Sequence, residues 1–112
     1  MSSELQVIDL QEGDGKAVVK GALITTQYRG TLADGSEFDS SWTRGKPFQC
    51  VIGTGRVIKG WDQGLMGMRV GGKRKLLVPA HLGYGERSVG TIPPNSDLTF
   101  EIELLEVLTR DD

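Results

Sequence analysis

Seven consecutive residues, Leu98-Thr99-Phe100-Glu101-Ile102-Glu103-Leu104, alternate apolar and polar without a break. Successive side chains of a strand point to opposite faces, so this run predicts a strand with one dry face and one wet face. Ala22 to Gly30 has the same period, with Ile24, Thr26 and Tyr28 on one face and Leu23, Thr25 and Gln27 on the other. A short first strand spans Leu5 to Leu10 and stops at Gly13-Asp14-Gly15. Asp34-Gly35 is the strongest turn signal in the chain and reads as a hairpin, with Phe38 to Ser41 on its far side. Arg44-Gly45-Lys46-Pro47 is a loop or bulge, because Pro47 cannot donate to a ladder. Phe48 to Ile52 resumes a strand and Gly53-Thr54-Gly55 ends it. Beyond the turn at Val70-Gly71-Gly72, the strand Lys73 to Val78 sets Leu76 and Val78 on one face.

One segment breaks this period. Val57-Ile58-Lys59-Gly60-Trp61-Asp62-Gln63-Gly64 opens a helix read over Ile58 to Met68. Its propensity is poor, since Gly60, Gly64 and Gly67 each cost about 1 kcal/mol relative to Ala. A helix that weak needs hard packing, and Trp61 is the residue to supply it. The indole N–H also needs a partner or an open face. Alternating strands with one dry face imply a mostly antiparallel sheet covered on one side. The Ile58 to Met68 helix is the cover, which makes residues 1–112 a single α+β domain.

Length and composition fit that reading. A chain of 112 residues can bury one core. A net charge of −2 marks neither a nucleic-acid binder nor a disordered tail. Glycine, 16 residues, is about twice its usual share and falls between apolar runs, where it makes turns. The single cysteine, Cys50, excludes an internal disulfide and a cysteine-based zinc site. With no signal-peptide pattern and no long apolar run, the expectation is a cytoplasmic protein with no membrane partner.

Catalytic machinery is scarce. His81 is the sole histidine and stands in a turn-rich segment with no nucleophile in a recognisable motif, so it reads as a surface turn residue. Cys50, mid-strand between Phe48 and Ile52, reads as a small buried hydrophobe. Gly53-Thr54-Gly55 has no following Gly-Lys-Ser/Thr and is no phosphate cradle. Lys73-Arg74-Lys75 reads as a solvated strand face with one inward neighbour, not a nucleic-acid contact. The acids show no metal-ligand spacing, and no cofactor is implied. What remains is a surplus of apolar and aromatic groups near turns: Tyr28, Phe38, Phe48, Val57, Ile58, Trp61, Tyr84, Ile92 and Phe100. Six of the seven aromatics are among them, Trp42 being the exception. So much aromatic surface beside glycines points to a lined cavity.

Six motifs then fall in order. They are Tyr28-Arg29-Gly30-Thr31-Leu32 with Asp34-Gly35; Phe38-Asp39-Ser40-Ser41; Val57-Ile58-Lys59-Gly60-Trp61; Leu82-Gly83-Tyr84-Gly85; Ile92-Pro93-Pro94-Asn95; and Leu98 to Leu105. In this register the chain, from about Leu5 to Val107, resembles the FKBPs, the macrolide-binding class of peptidyl-prolyl isomerase. The resemblance implies a twisted antiparallel sheet of five or six strands wrapped around one short helix, with a pocket between them for a proline ring. It implies walls from Tyr28, Phe38, Asp39, Phe48, Val57, Ile58, Tyr84, Ile92 and Phe100, with Trp61 as the floor. It further implies that the Ile58 amide and the Tyr84 hydroxyl bind substrate-like carbonyls, and that Arg44 pairs near Asp39. The chain departs from the family at Cys50, at Trp42, at Thr91, and in a Glu86 to Thr91 loop about one residue shorter and more polar, which bears on the rim and not on the floor.

The implied activity is rotation of X–Pro bonds in polypeptides. The implied ligands are proline-containing chains and macrolides such as tacrolimus and rapamycin, and a monomer is expected. Two other readings stay open from sequence: a module of the same fold that holds proline peptides or acts as a weak chaperone with little turnover, and a purely structural interaction domain.

Overall fold

The computed structural model describes residues 4–110; the outermost residues of the domain read as 1–112 lie outside it. Six strands form one antiparallel sheet: β1 (Gln6–Gln11), β2 (Leu23–Thr31), β3 (Glu37–Ser40), β4 (Phe48–Val51), β5 (Lys73–Val78) and β6 (Leu98–Leu108). The spatial order is β1-β5-β6-β2-β3, and β4 also pairs with β2. β3 takes the Arg29–Thr31 end of β2, while β4 takes the Leu23–Thr26 end. The two are therefore halves of one edge strand, parted by a short helix, α1 (Ser41–Arg44). Sequence periodicity reads this stretch as strand followed by loop. Ser40 instead caps a helical turn, its hydroxyl accepting from the Thr43 N–H at 3.3 Å.

The inner face of the sheet carries Ile24, Thr26 and Tyr28 from β2, Leu76 and Val78 from β5, and Phe100, Ile102 and Leu104 from β6, all buried. Against it lies α2 (Lys59–Gly64), shorter than the Ile58 to Met68 span predicted. Gly67 adopts φ +77, a left-handed conformation that ends helical winding, and its N–H turns away to the Val18 carbonyl at 3.0 Å. Arg74 closes the same end. Its guanidinium donates to the carbonyls of Gly64 at 2.9 Å and Met66 at 3.0 Å, and pairs with Asp9 of β1 at 2.7 Å. These are acceptors that a helix end leaves without partners. Arg74 is thus the inward member of the basic run. No helix among the described residues is long and apolar enough to cross a membrane.

The glycines that weaken α2 are what let it lie close to the sheet. A Cβ on Gly60 would stand 2.6 Å from Val78 Cγ1, and one on Gly64 would stand 2.8 Å from Leu76 Cδ2. Four residues apart, they form one bare face of the helix. Gly60→Ala should therefore destabilise the protein by about 1–2 kcal/mol in urea unfolding, since overpacking against a stiff valine outweighs the propensity gain. Val78→Ala in the same chain makes room, so the double variant should lose less than the sum of the singles. Additive losses would show that the contact is not the cause.

Candidate active site

Trp61 is 3% exposed and sits at the bottom of a cleft of about 1370 Å³. Three rings stand nearly perpendicular to the indole: Tyr28 at 5.1 Å and 89°, Phe100 at 5.6 Å and 87°, and Phe48 at 5.9 Å and 84° between centroids. Phe38 meets Phe100 edge-on at 5.6 Å. It lies flat over β2 because position 30 has no side chain; a Cβ on Gly30 would come within 2.5 Å of the Phe38 ring. Each ring arrives from a different element, so only the folded sheet and helix assemble the box. Val57 and Ile58, leading into α2, and Tyr84, beyond the 3₁₀ turn Ala80–Leu82, complete the wall.

One charged group sits within this apolar frame. Asp39 accepts from the Tyr28 hydroxyl on one carboxylate oxygen and from Arg44 on the other. Arg44 also reaches the Tyr28 oxygen at 3.2 Å, with its guanidinium carbon 5.5 Å from the centre of that ring. Burial, reinforced by the bond to Asp39 and opposed by Arg44, pushes the Tyr28 phenol up to about 12, so it remains a donor at neutral pH. Burial also raises the Tyr84 phenol, with Asp39 contributing second.

The backbone at Tyr28 is held by a residue that the sequence places in a motif without giving it a role. β4 pairs with β2 up to Thr26 and β3 begins at Arg29, which leaves Gln27 and Tyr28 beside the gap. Ser41, fully buried, fills it: its hydroxyl accepts from the Tyr28 N–H at 2.8 Å and donates to Gln27 Oε1 at 2.5 Å.

Three donors are left for a ligand: the Tyr84 hydroxyl, the indole N–H of Trp61 and the Ile58 amide. Among the described residues the Tyr84 hydroxyl and the indole N–H of Trp61 make no hydrogen bond, and no buried side-chain polar atom lacks a partner, so both reach accessible space. The Ile58 residue precedes the helical ladder; its carbonyl accepts from Trp61 and Asp62, and its own N–H donates to no acceptor among the described residues. Asp62 steadies the approach to it by accepting from the amides of Gly53 at 2.7 Å and Gly55 at 2.9 Å.

Of the residues named from sequence, Tyr28, Phe38, Asp39, Arg44, Phe48, Val57, Ile58, Trp61, Tyr84 and Phe100 all line the cleft. Ile92 is not among these lining residues; it is 5% exposed, as deeply buried as Trp61 and Phe100, and packs in the same core cluster. From the Glu86 to Thr91 loop only Arg87 reaches the cleft. His81 is exposed at the rim, and Trp42 stays outside, 52% exposed. Cys50 is half-buried; burial first and Asp62 second push its thiol up to about 11, which leaves little thiolate to react. The sequence reading passed over the cations of the rim, Lys46, Arg56, Lys59 and Arg87. Each lies within three residues of a wall residue, which is the signal that could have found them.

Known proteins share this arrangement. The family described as FKBP-type peptidyl-prolyl cis-trans isomerase matches residues 14–105. An FK506-binding protein of Neisseria meningitidis serogroup A is 54% identical over 104 residues, covering 92% of this chain and 95% of that protein. FK506-binding protein 1 of Debaryomyces hansenii is 56% identical over 104 residues, covering 91% and 93%. Among solved structures, AtFKBP13 superposes with a TM-score of 0.87 at 45% identity, covering 93% of each chain. FkpA from Escherichia coli gives 0.85 at 45% identity, with 92% of this chain matching 47% of that one. The sheet wrapped around one short helix, with its aromatic cleft, is the fold of the prolyl isomerases. The chain belongs to the FKBP-type peptidyl-prolyl cis-trans isomerases, and its activity is peptidyl-prolyl cis–trans isomerisation.

Two measurements test the site. Trp61→Leu should stay folded, lose about 2 kcal/mol of stability through the smaller side chain, and lose binding of proline ligands. In a Trp42→Phe background, a cleft ligand should shift the remaining tryptophan emission; unchanged emission at saturation would remove Trp61 from the floor. Separately, the Tyr28 phenol ordinarily titrates near 10 and is raised to about 12 in the fold. Its contribution to stability is full below pH 10 and is lost as pH rises through 12. Tyr28→Phe should flatten the alkaline fall in stability over that window.

Proposed function

We propose that the cleft takes the proline ring of an X–Pro segment onto the Trp61 indole, between Tyr28, Phe48 and Phe100, with Phe38, Val57 and Ile58 closing the sides. The Ile58 amide and the Tyr84 hydroxyl hold substrate carbonyls on either side of the ring. The observation that carries this reading is an aromatic box with the Ile58 amide and the Tyr84 hydroxyl uncommitted at its mouth and no nucleophile within it.

The chemistry needs nothing more. Rotation about a prolyl amide is opposed by a barrier of about 18–20 kcal/mol, which comes from conjugation. No bond to carbon forms or breaks. The planar amide is strongly dipolar, and the twisted transition state has lost that conjugation. A dry apolar box disfavours the planar form relative to the twisted one, and a hydrogen bond that is better made in the twisted geometry adds differential binding. Removing about 5 kcal/mol of barrier would quicken rotation by between three and four powers of ten. Asp39 acts through its field and by fixing Tyr28 and Arg44, and it moves no proton.

FK506-type macrolides are proposed to occupy the same cleft, as the names of the relatives suggest. We also propose a monomer acting in the cytoplasm; the unreactive Cys50 is compatible with a reducing compartment.

A proline-limited refolding assay tests the substrate class: catalytic amounts should speed the slow phase, and a macrolide should block the effect. An unchanged slow phase would refute it. Asp39→Leu should lower kcat/KM about ten-fold without abolishing it. Complete loss of turnover, together with a wild-type pH–rate profile that follows titration of one carboxyl group, would instead assign general acid–base catalysis.

A further inference from the structure

Outside the aromatic box the cleft carries charge of one sign. Lys46 in the loop before β4, Arg56 and Lys59 at the entrance to α2, and Arg87 beyond the 3₁₀ turn all line it, and all four are exposed. None has an ion-pair partner among the described residues. The only acid in the lining is Asp39, which Arg44 already holds. Nearby acids are directed elsewhere. Asp62 accepts from the Gly53 and Gly55 amides, and Glu86 is exposed outside the lining.

This concentration runs against the composition of the chain. The protein carries 13 basic and 15 acidic residues, a net charge of −2, yet the cleft mouth holds four uncompensated cations. The cleft, at about 1370 Å³, exceeds the roughly 300–1,000 Å³ of an ordinary small-ligand pocket, so it has room for the chain on both sides of a proline.

We propose that this rim selects prolyl segments with aspartate or glutamate two to four residues from the proline. The inference rests on the cleft being the proline site. It also places the preference along the chain. Next to the ring a carboxylate would meet Asp39 and apolar walls, with nothing to pair it. An extended chain advances about 3.3–3.6 Å per residue, so two to four residues carry it from the box to the rim. The rim acts on capture more than on rotation, because exposed charges raise the local concentration of oppositely charged ligand and the rate of encounter. A unit charge about 10 Å from another in water changes affinity roughly two-fold. Several cations together should give about five-fold at low salt. Little of that survives once the screening length falls below about 10 Å.

The test uses three peptides with one Ala-Leu-Pro-Phe core and with glutamate, glutamine or lysine at the outer flanking positions. Isomerisation is read by exchange NMR, which needs no coupling protease. Glutamate flanks should raise kcat/KM about five-fold over glutamine at roughly 20 mM ionic strength, mainly through KM, and lysine flanks should lower it. The difference should collapse at roughly 500 mM. Replacing Lys46, Arg56, Lys59 and Arg87 together by glutamine should bring the glutamate and glutamine peptides level at low salt, with the fold checked by circular dichroism. Equal rates for glutamate and glutamine peptides in wild-type protein that turns both over would overturn the rim and leave the proline site standing. Turnover of none of the three would overturn the proline site and the rim with it.

Discussion

The structure depends on how closely α2 approaches β5. Six residues make a poor helix, and two of them are glycines that press bare backbone onto Val78 and Leu76. That contact sets the depth at which Trp61 emerges. A side chain on either glycine would lift the helix from the sheet and carry the indole away from Tyr28, Phe48 and Phe100. The low intrinsic propensity of the segment is therefore the cost of a close contact, offset by burial of the indole and by Arg74 tying off the last carbonyls.

The second constraint is the split edge of the sheet. An unbroken strand along β2 would bond Gln27 and Tyr28 from the backbone and would leave no place for α1. Parting β3 from β4 brings Ser41 into the gap and Arg44 over the Tyr28 ring, while Asp39, at the end of β3, accepts from both. One irregularity thus places the single paired charge of the site beside its deepest tyrosine. A carboxylate among aromatic rings is tolerable only with such partners.

These two features make a site that works by environment. On the proposed function, the box removes water from an amide whose planar form is the more dipolar, and donors at the mouth orient the flanking carbonyls. No residue needs to change protonation state, which agrees with phenols raised by burial and a cysteine thiol raised out of reach. The mouth, by contrast, carries long, exposed cationic side chains whose attraction for a ligand is governed by solvent and salt.

Much of this was legible in the chain. Strict alternation in β6 and β2 gave their buried faces correctly, because a period of two has a single geometric meaning when one face is dry. The aromatic surplus near glycines announced a lined cavity, and the ordered motifs told which residues would meet. The α1 turn was hidden because four residues are too few for a helical period, although Ser40 and Gly45 bracket it as cap residues. The end of α2 was overrun because Leu65 and Met68 continue an apolar rhythm beyond Gly64, where the helix stops, while Gly67 turns the backbone. The sequence by itself determined which faces are dry and which residue types fill them, since these follow from local period and burial. Only the tertiary structure decided the perpendicular rings around Trp61, the Ser41 bond and the one-signed rim, because each joins side chains from elements far apart in the chain.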